Sequence, residues 1–161
     1  MSQLIRVGMS EIACSRSPDV LATYGLGSCV GVCVYDPLLK IGGMAHIMLP
    51  DSSLSKTVTN RGKFADTSIP DLIAKLTQMG ALVPRMVAKI AGGSQMFAFM
   101  GKDDKLLIGP RNVAAVENAL AQQKIKLSAK NVGGNVGRSI LFDLATGEVT
   151  VKMLNSADII L

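Results

Sequence analysis

The 161-residue chain has no tryptophan, a single histidine and three cysteines, and its aromatic residues are limited to two Tyr and four Phe. Each scarcity excludes something. An odd cysteine count does not fit a framework of paired disulfides; it points to a reducing cytoplasm, where a functional cysteine is a thiol. No C-x-x-C pair occurs, which argues against a thiol redox enzyme. No apolar run approaches the roughly 20 residues that span a bilayer, so membrane insertion is not expected. The opening MSQLIRVGMSEIACS lacks the charged-then-apolar layout of a secretory signal. With aromatics at 4% and no arginine-rich cluster, the features of a nucleic-acid binder are missing.

What remains is a chain that is 48% hydrophobic and 18% charged, with a core to be built from Val, Ile, Leu, Ala and Met. Its length predicts one domain over residues 1–161, large enough to bury roughly 70% of the unfolded surface without a disulfide or metal. Seventeen basic against twelve acidic side chains give a net charge of +5. That balance fits a plain soluble surface, or one that attracts an acidic protein partner.

Short Val- and Ile-rich runs predict strands at 4–7, 20–24, 28–35, 43–49, 85–91, 125–131, 139–144 and 148–153, the last two joined by a hairpin turn at Gly147. Ile69, Leu72, Ile73 and Leu76 recur at helical spacing, with Ser68 as the expected N-cap, Pro70 in the first turn and Gly80 at the end. Val113, Val116 and Leu120 mark a second helix after Pro110, with a thin apolar face suited to one-sided packing on a sheet. The pattern predicts an α+β domain with two main helices covering one sheet face. The polar stretch PDSSLSKTVTNRGKF reads as a long loop, mobile or functional. The pairs Gly42–Gly43, Gly92–Gly93 and Gly133–Gly134 read as turns and bulges in preference to a substrate-facing backbone. GGNVGR lacks the Lys-Ser/Thr of a phosphate loop. Met96, Phe97, Phe99 and Met100 serve either a partner contact or the core.

The segment TYGLGSCVGVCVYD places Cys29 directly after a glycine turn, and His46 follows 17 residues later in GGMAHIMLP. A zinc set of Cys14, Cys29, Cys33 and His46 is disfavoured. Cys29 and Cys33 lie four apart in a strand-like run, roughly 13 Å between Cα atoms, too far to share one ion. Cys33, between two valines, and Cys14 read as buried core thiols. Cys29 differs because the GLGS turn exposes a side chain and aims nearby amides at one place, as a thiol nucleophile requires. His46, on a returning neighbour strand, is either its base or a hydrogen-bonded core residue. Residue types alone leave both readings open.

The run TYGLGSCVGVCVYDPLLKIGGMAHIMLP closely resembles the signature of the CheD family, the chemoreceptor glutamine deamidases of bacterial and archaeal chemotaxis. The likeness continues through GKFADTSIPDLI, AKIAGGSQMF, IGPRNV and VGGNVGRSILFDLATGEV, in order and over most of the chain. The resemblance implies a three-layer α/β/β sandwich with mixed sheets and two helices on one face. It implies hydrolysis of receptor glutamine side chains to glutamate with release of ammonia, by attack of a Cys29 thiolate paired with the His46 imidazolium and through a thioester, with His46 as acid–base and Thr23 positioning the histidine. Amides near Gly27 and Ser28 are the expected oxyanion donors, and no metal or other cofactor is expected. The implied partners are chemoreceptor cytoplasmic helices, as substrate, and a CheC-type phosphatase acting on phosphorylated CheY. Regulation of that phosphatase is the alternative function.

Overall fold

Two runs, VGVCVYD and IGGMAHI, are apolar at nearly every position instead of alternating. Such strands must be covered on both faces. In a computed structural model, which describes residues 1–95 and 107–161, they form β4 (Val30–Asp36) and β5 (Ile41–Ile47), and all fourteen residues are buried. The Met96–Met100 segment lies outside the described residues. The strands pair antiparallel, Val30 opposite Ile47 and Asp36 opposite Ile41. Around them the central sheet runs β2 (Ile12–Arg16), β5, β4, β6 (Val87–Gly92), β7 (Lys126–Val132), with only β6–β7 parallel.

One face of this sheet carries Val30, Val32, Val34, Ala45 and Ile47 against α1 (Ala65–Gln78) and α2 (Ile108–Gln122). Its other face carries Cys33, Tyr35 and Met44 against a second sheet of order β1 (Leu4–Arg6), β3 (Val20–Leu26), β8 (Arg138–Asp143), β9 (Val149–Lys152), β10 (Ile159–Ile160). Here β1–β3 is the parallel pair. Strand β8 alternates buried and half-buried residues, as expected of a sheet covered on one side only. The two helices on one sheet face are as the apolar pattern predicts, and the α/β/β sandwich with mixed sheets is as the family resemblance implies.

Several local expectations are corrected. The first helix starts at Ala65, not after Ser68: Ser68 is buried inside it, and Pro70 is its sixth residue. The cause lies upstream. A bridge from Leu49 to buried Phe64, and a bond from Ala65 N–H to the Leu49 carbonyl, fix the entry before the predicted cap is reached. The loop before it is folded into 3-10 turns at Ser52–Leu54 and Arg61–Lys63, tied down by Ser52 and Arg61 bonding to Asp66 and Asp71. Strands β2 and β10 were not foreseen. The glycine pair Gly42–Gly43 serves packing on both faces: a Cβ on Gly42 would lie 2.6 Å from Leu144 Cδ2, and one on Gly43 2.6 Å from Leu72 Cδ1.

The end of β4 remote from Cys29 is anchored by charge. The Asp36 carboxylate is fully buried and accepts from Arg85 Nη2 at 2.8 Å, Leu82 N at 3.0 Å and Leu38 N at 3.1 Å. Removing Arg85 strands that charge. Because Arg85 is partly solvated, Arg85→Ala is expected to cost about 2–3 kcal/mol, below the range for a wholly buried pair. A urea titration measures this; a change under about 0.5 kcal/mol refutes the anchor, since unanchored surface substitutions fall in that range.

Candidate active site

Strand β3 belongs to one sheet and β4 to the other, so the Gly25–Ser28 turn carries the chain between layers. Gly25 has φ +70°, a conformation that side-chain-bearing residues rarely adopt, and the β3–β8 register shifts between Thr23 and Leu26. This corner seats Cys29 immediately before β4. The thiol packs on the apolar cluster between the sheets and is partly exposed. His46 faces the same layer, because Gly31 is its direct cross-strand partner and Cys29 lies two residues before Gly31. That makes Cys29 and His46 diagonal neighbours on one face. Cys14 instead packs on the helix side of the sheet, so the nominal zinc set is divided between two faces.

Thr23, on β3, meets His46 across the layer boundary: Oγ1 lies 2.7 Å from Nδ1 and 2.6 Å from the Val7 carbonyl oxygen. A carbonyl only accepts, so the single hydroxyl proton goes to Val7. Oγ1 must then accept from His46 Nδ1–H. The ring is therefore the Nδ1–H tautomer, and Nε2 carries a bare lone pair. Nε2 is buried and, among the described residues, has no hydrogen-bond partner. An acceptor left unsatisfied in an apolar layer is costly unless used.

Burial sets the charge state of both groups. It pushes the Cys29 thiol up, only partly offset by the residue's own amide, and it lowers the His46 pKa below its usual 6.5. The resting pair is thus neutral thiol and neutral imidazole, not a preformed ion pair. The other thiols are more strongly suppressed: burial raises Cys14 to about 11, and Cys33, wholly buried, higher still.

The backbone around Cys29 is pinned from one side. The Cys29 carbonyl accepts from Gly93 N–H at 2.8 Å, and the Ser28 carbonyl accepts from Asn112 Nδ2 at 2.9 Å. Gly92, at φ +114°, permits the approach, since a Cβ there would sit 2.3 Å from the Cys29 oxygen. The glycines at 92 and 93 are therefore structural, as expected. The Gly27 N–H is spent on the Gly25 carbonyl at 3.0 Å, which removes it from the donors foreseen at the turn. Among the described residues, the N–H groups of Ser28 and Cys29 donate to no backbone carbonyl. Two residues escaped the sequence reading. Asn112 lies in register with Val116 and Ala119 on the buried face of α2, and a polar residue in that stripe is the signal. Buried Arg138 donates to the Gly92, Asn131 and Gly133 carbonyls and steadies the neighbouring glycine turn.

Comparison with known proteins points to one family. A family model described as "CheD chemotactic sensory transduction" matches residues 48–153, beginning just past His46. Full-length relatives extend the likeness over the remainder. A protein of Syntrophomonas wolfei named "Probable chemoreceptor glutamine deamidase CheD" is 46% identical over 158 residues, covering 98% of both chains. Proteins of the same name from Moorella thermoacetica and Desulforamulus reducens are 49% and 45% identical, each covering 94% of this chain and 92% of the relative.

His46 is the only imidazole in the chain, so its NMR signals are unambiguous. The expected spectrum shows Nδ1–H with unprotonated Nε2, titrating below pH 6.5. Thr23→Val, which keeps the shape and removes the acceptor, is expected to move the tautomer population toward Nε2–H. An unchanged tautomer in that variant would show that Thr23 does not orient the ring.

Proposed function

The chain belongs to the CheD family, and from that premise we propose that it is a cytoplasmic protein-glutamine deamidase that converts selected chemoreceptor glutamines to glutamate. The observation that carries the reading is the bare, buried Nε2 of His46 held on the same sheet face as a partly exposed thiol. The names of the relatives supply the substrate class. No helix among the described residues is long and apolar enough to cross a membrane.

The cycle starts from the neutral pair. Because Nε2 is not yet bonded to the thiol, the contact closes as substrate enters, a common difference between resting and substrate-bound sites. As Sγ attacks the glutamine Cδ, its proton passes to Nε2, and the carbonyl oxygen becomes an oxyanion. The Ser28 and Cys29 amides are the donors that receive it. The imidazolium then gives its proton to the departing nitrogen, releasing ammonia and leaving a thioester. A water attacks the thioester, surrendering a proton to Nε2. Collapse frees glutamate and returns the proton to sulfur. Thr23 holds the ring through Nδ1 and stabilises the transient imidazolium. The net change is glutamine plus water to glutamate plus ammonia, with no other group consumed.

The net charge of +5 favours encounter with glutamate-rich receptor helices. The intact Cys29–His46–Thr23 arrangement favours turnover over a purely regulatory role toward a CheC-type phosphatase. Cys29→Ala is expected to abolish deamidation of receptor peptides followed by mass spectrometry, whereas Cys33→Ala leaves turnover largely intact. Turnover surviving in the Cys29 variant would remove this thiol from the chemistry. The pH profile follows from the sign of the histidine shift. Neutral His46 is the active form, and burial lowers its pKa, so that form persists below pH 6.5. The acid limb of kcat/KM, which reports the free enzyme, is therefore expected below the ordinary imidazole value, and an acid limb above it contradicts the neutral-pair mechanism.

A further inference from the structure

We propose that Asn112 is a positioning residue of the active site, its side-chain amide orienting the Ser28–Cys29 peptide that receives the oxyanion. The inference rests on the deamidase reading above. Asn112 is fully buried on α2, and its Nδ2 donates to the Ser28 carbonyl and to the Met48 carbonyl, both at 2.9 Å. Both amide protons are thereby spent on two separate segments: the residue before the nucleophile, and the residue two beyond the base. No other described side chain bonds to both segments.

The geometry explains why this matters. In a trans peptide the C=O and N–H point in opposite directions. Drawing the Ser28 carbonyl toward α2 aims the Cys29 N–H away from the helix. A hydrogen-bonded carbonyl also polarises its peptide and strengthens the N–H at the other end. The following peptide is fixed by Gly93 N–H on the Cys29 carbonyl. Both peptides flanking the nucleophile are therefore held through their carbonyls, and their N–H ends are oriented by those bonds.

A purely structural reason for Asn112 is weak. It is the fifth residue of α2, an interior position where asparagine is a poor helix former. Among the described residues its Oδ1 is buried without a partner, a cost set against the two carbonyls that Nδ2 satisfies. A residue that breaks the local rules at a catalytic corner is where function is expected to be found.

The test compares Asn112→Ala and Asn112→Ser with Val116→Ala, a buried core truncation one turn along the same helix whose side chain has no group able to hydrogen-bond either carbonyl. Four quantities are read: kcat, KM, the thermal midpoint, and the rate at which iodoacetamide alkylates Cys29, resolved by peptide mass mapping. Alkylation uses the thiol but forms no oxyanion. The expected result for both Asn112 variants is a fall in kcat of about 10- to 100-fold, less than outright loss of an oxyanion donor. KM and the alkylation rate stay within about twofold, and Val116→Ala loses comparable thermal stability while keeping kcat within about twofold. Three results overturn the proposal: kcat in the Asn112 variants no lower than in Val116→Ala; alkylation falling in step with kcat; or neither Asn112 variant folding while Val116→Ala folds. Wild-type protein that leaves receptor peptides unchanged fails the deamidase reading itself, a separate outcome.

Discussion

A hydroxyl has one proton, and where Thr23 sends it decides what His46 is. With the Val7 carbonyl 2.6 Å away and unable to donate, the proton is committed, and the imidazole must present Nδ1–H to Thr23. The opposite nitrogen is then the base. That chain of compulsion runs through three strands and both sheets: β1 ends at the carbonyl's doorstep, β3 carries the hydroxyl, and β5 carries the ring. No charge is needed to maintain it, which suits a layer where an ion would be expensive to bury.

The same burial shapes how the pair works. Desolvation opposes a thiolate and an imidazolium alike, so the site holds its proton on sulfur until attack begins. A protonated thiol also resists stray electrophiles better than a thiolate, since only the latter is strongly nucleophilic. Cys14 and Cys33 are held further still from ionisation. One fold thus carries three thiols with graded accessibility, and only the one at the inter-sheet corner is partnered with a base.

Much of this was legible in the amino-acid order. The all-apolar β4 and β5 announce strands covered on both faces, and the stripe at Ile69, Leu72, Ile73 and Leu76 finds the first helix. Cys29 after a glycine corner and the lone His46 form a recognisable pattern, which Thr23 completes through the family signature. What stayed hidden depends on contacts between distant segments. The β2 sequence IACSR is a mixed-polarity edge strand, stabilised by pairing to β5 more than by its own pattern. Ser68 has the right chemistry for a cap, but a bridge from Leu49 starts the helix earlier. Asn112 bonds only to backbone carbonyls far away in the chain, and Arg138 ties its own glycine turn to the distant Gly92 carbonyl; no local spacing rule reports such contacts.

Thr23 and His46 belong to different layers, joined nearby by two short crossings: the corner that ends at Ser28, and the link from β1 to β2, in which Val7 bonds to Thr23 and Ser10 and Glu11 bond to His46. Slippage of one sheet past the other by a single residue repeat, about 3.3 Å, exceeds the 2.7 Å bond itself. The catalytic histidine is therefore a gauge of interlayer alignment. Bulky side chains deep in the seam, such as Met44 and Phe142, set the chemistry from a distance by fixing how the two sheets are stacked.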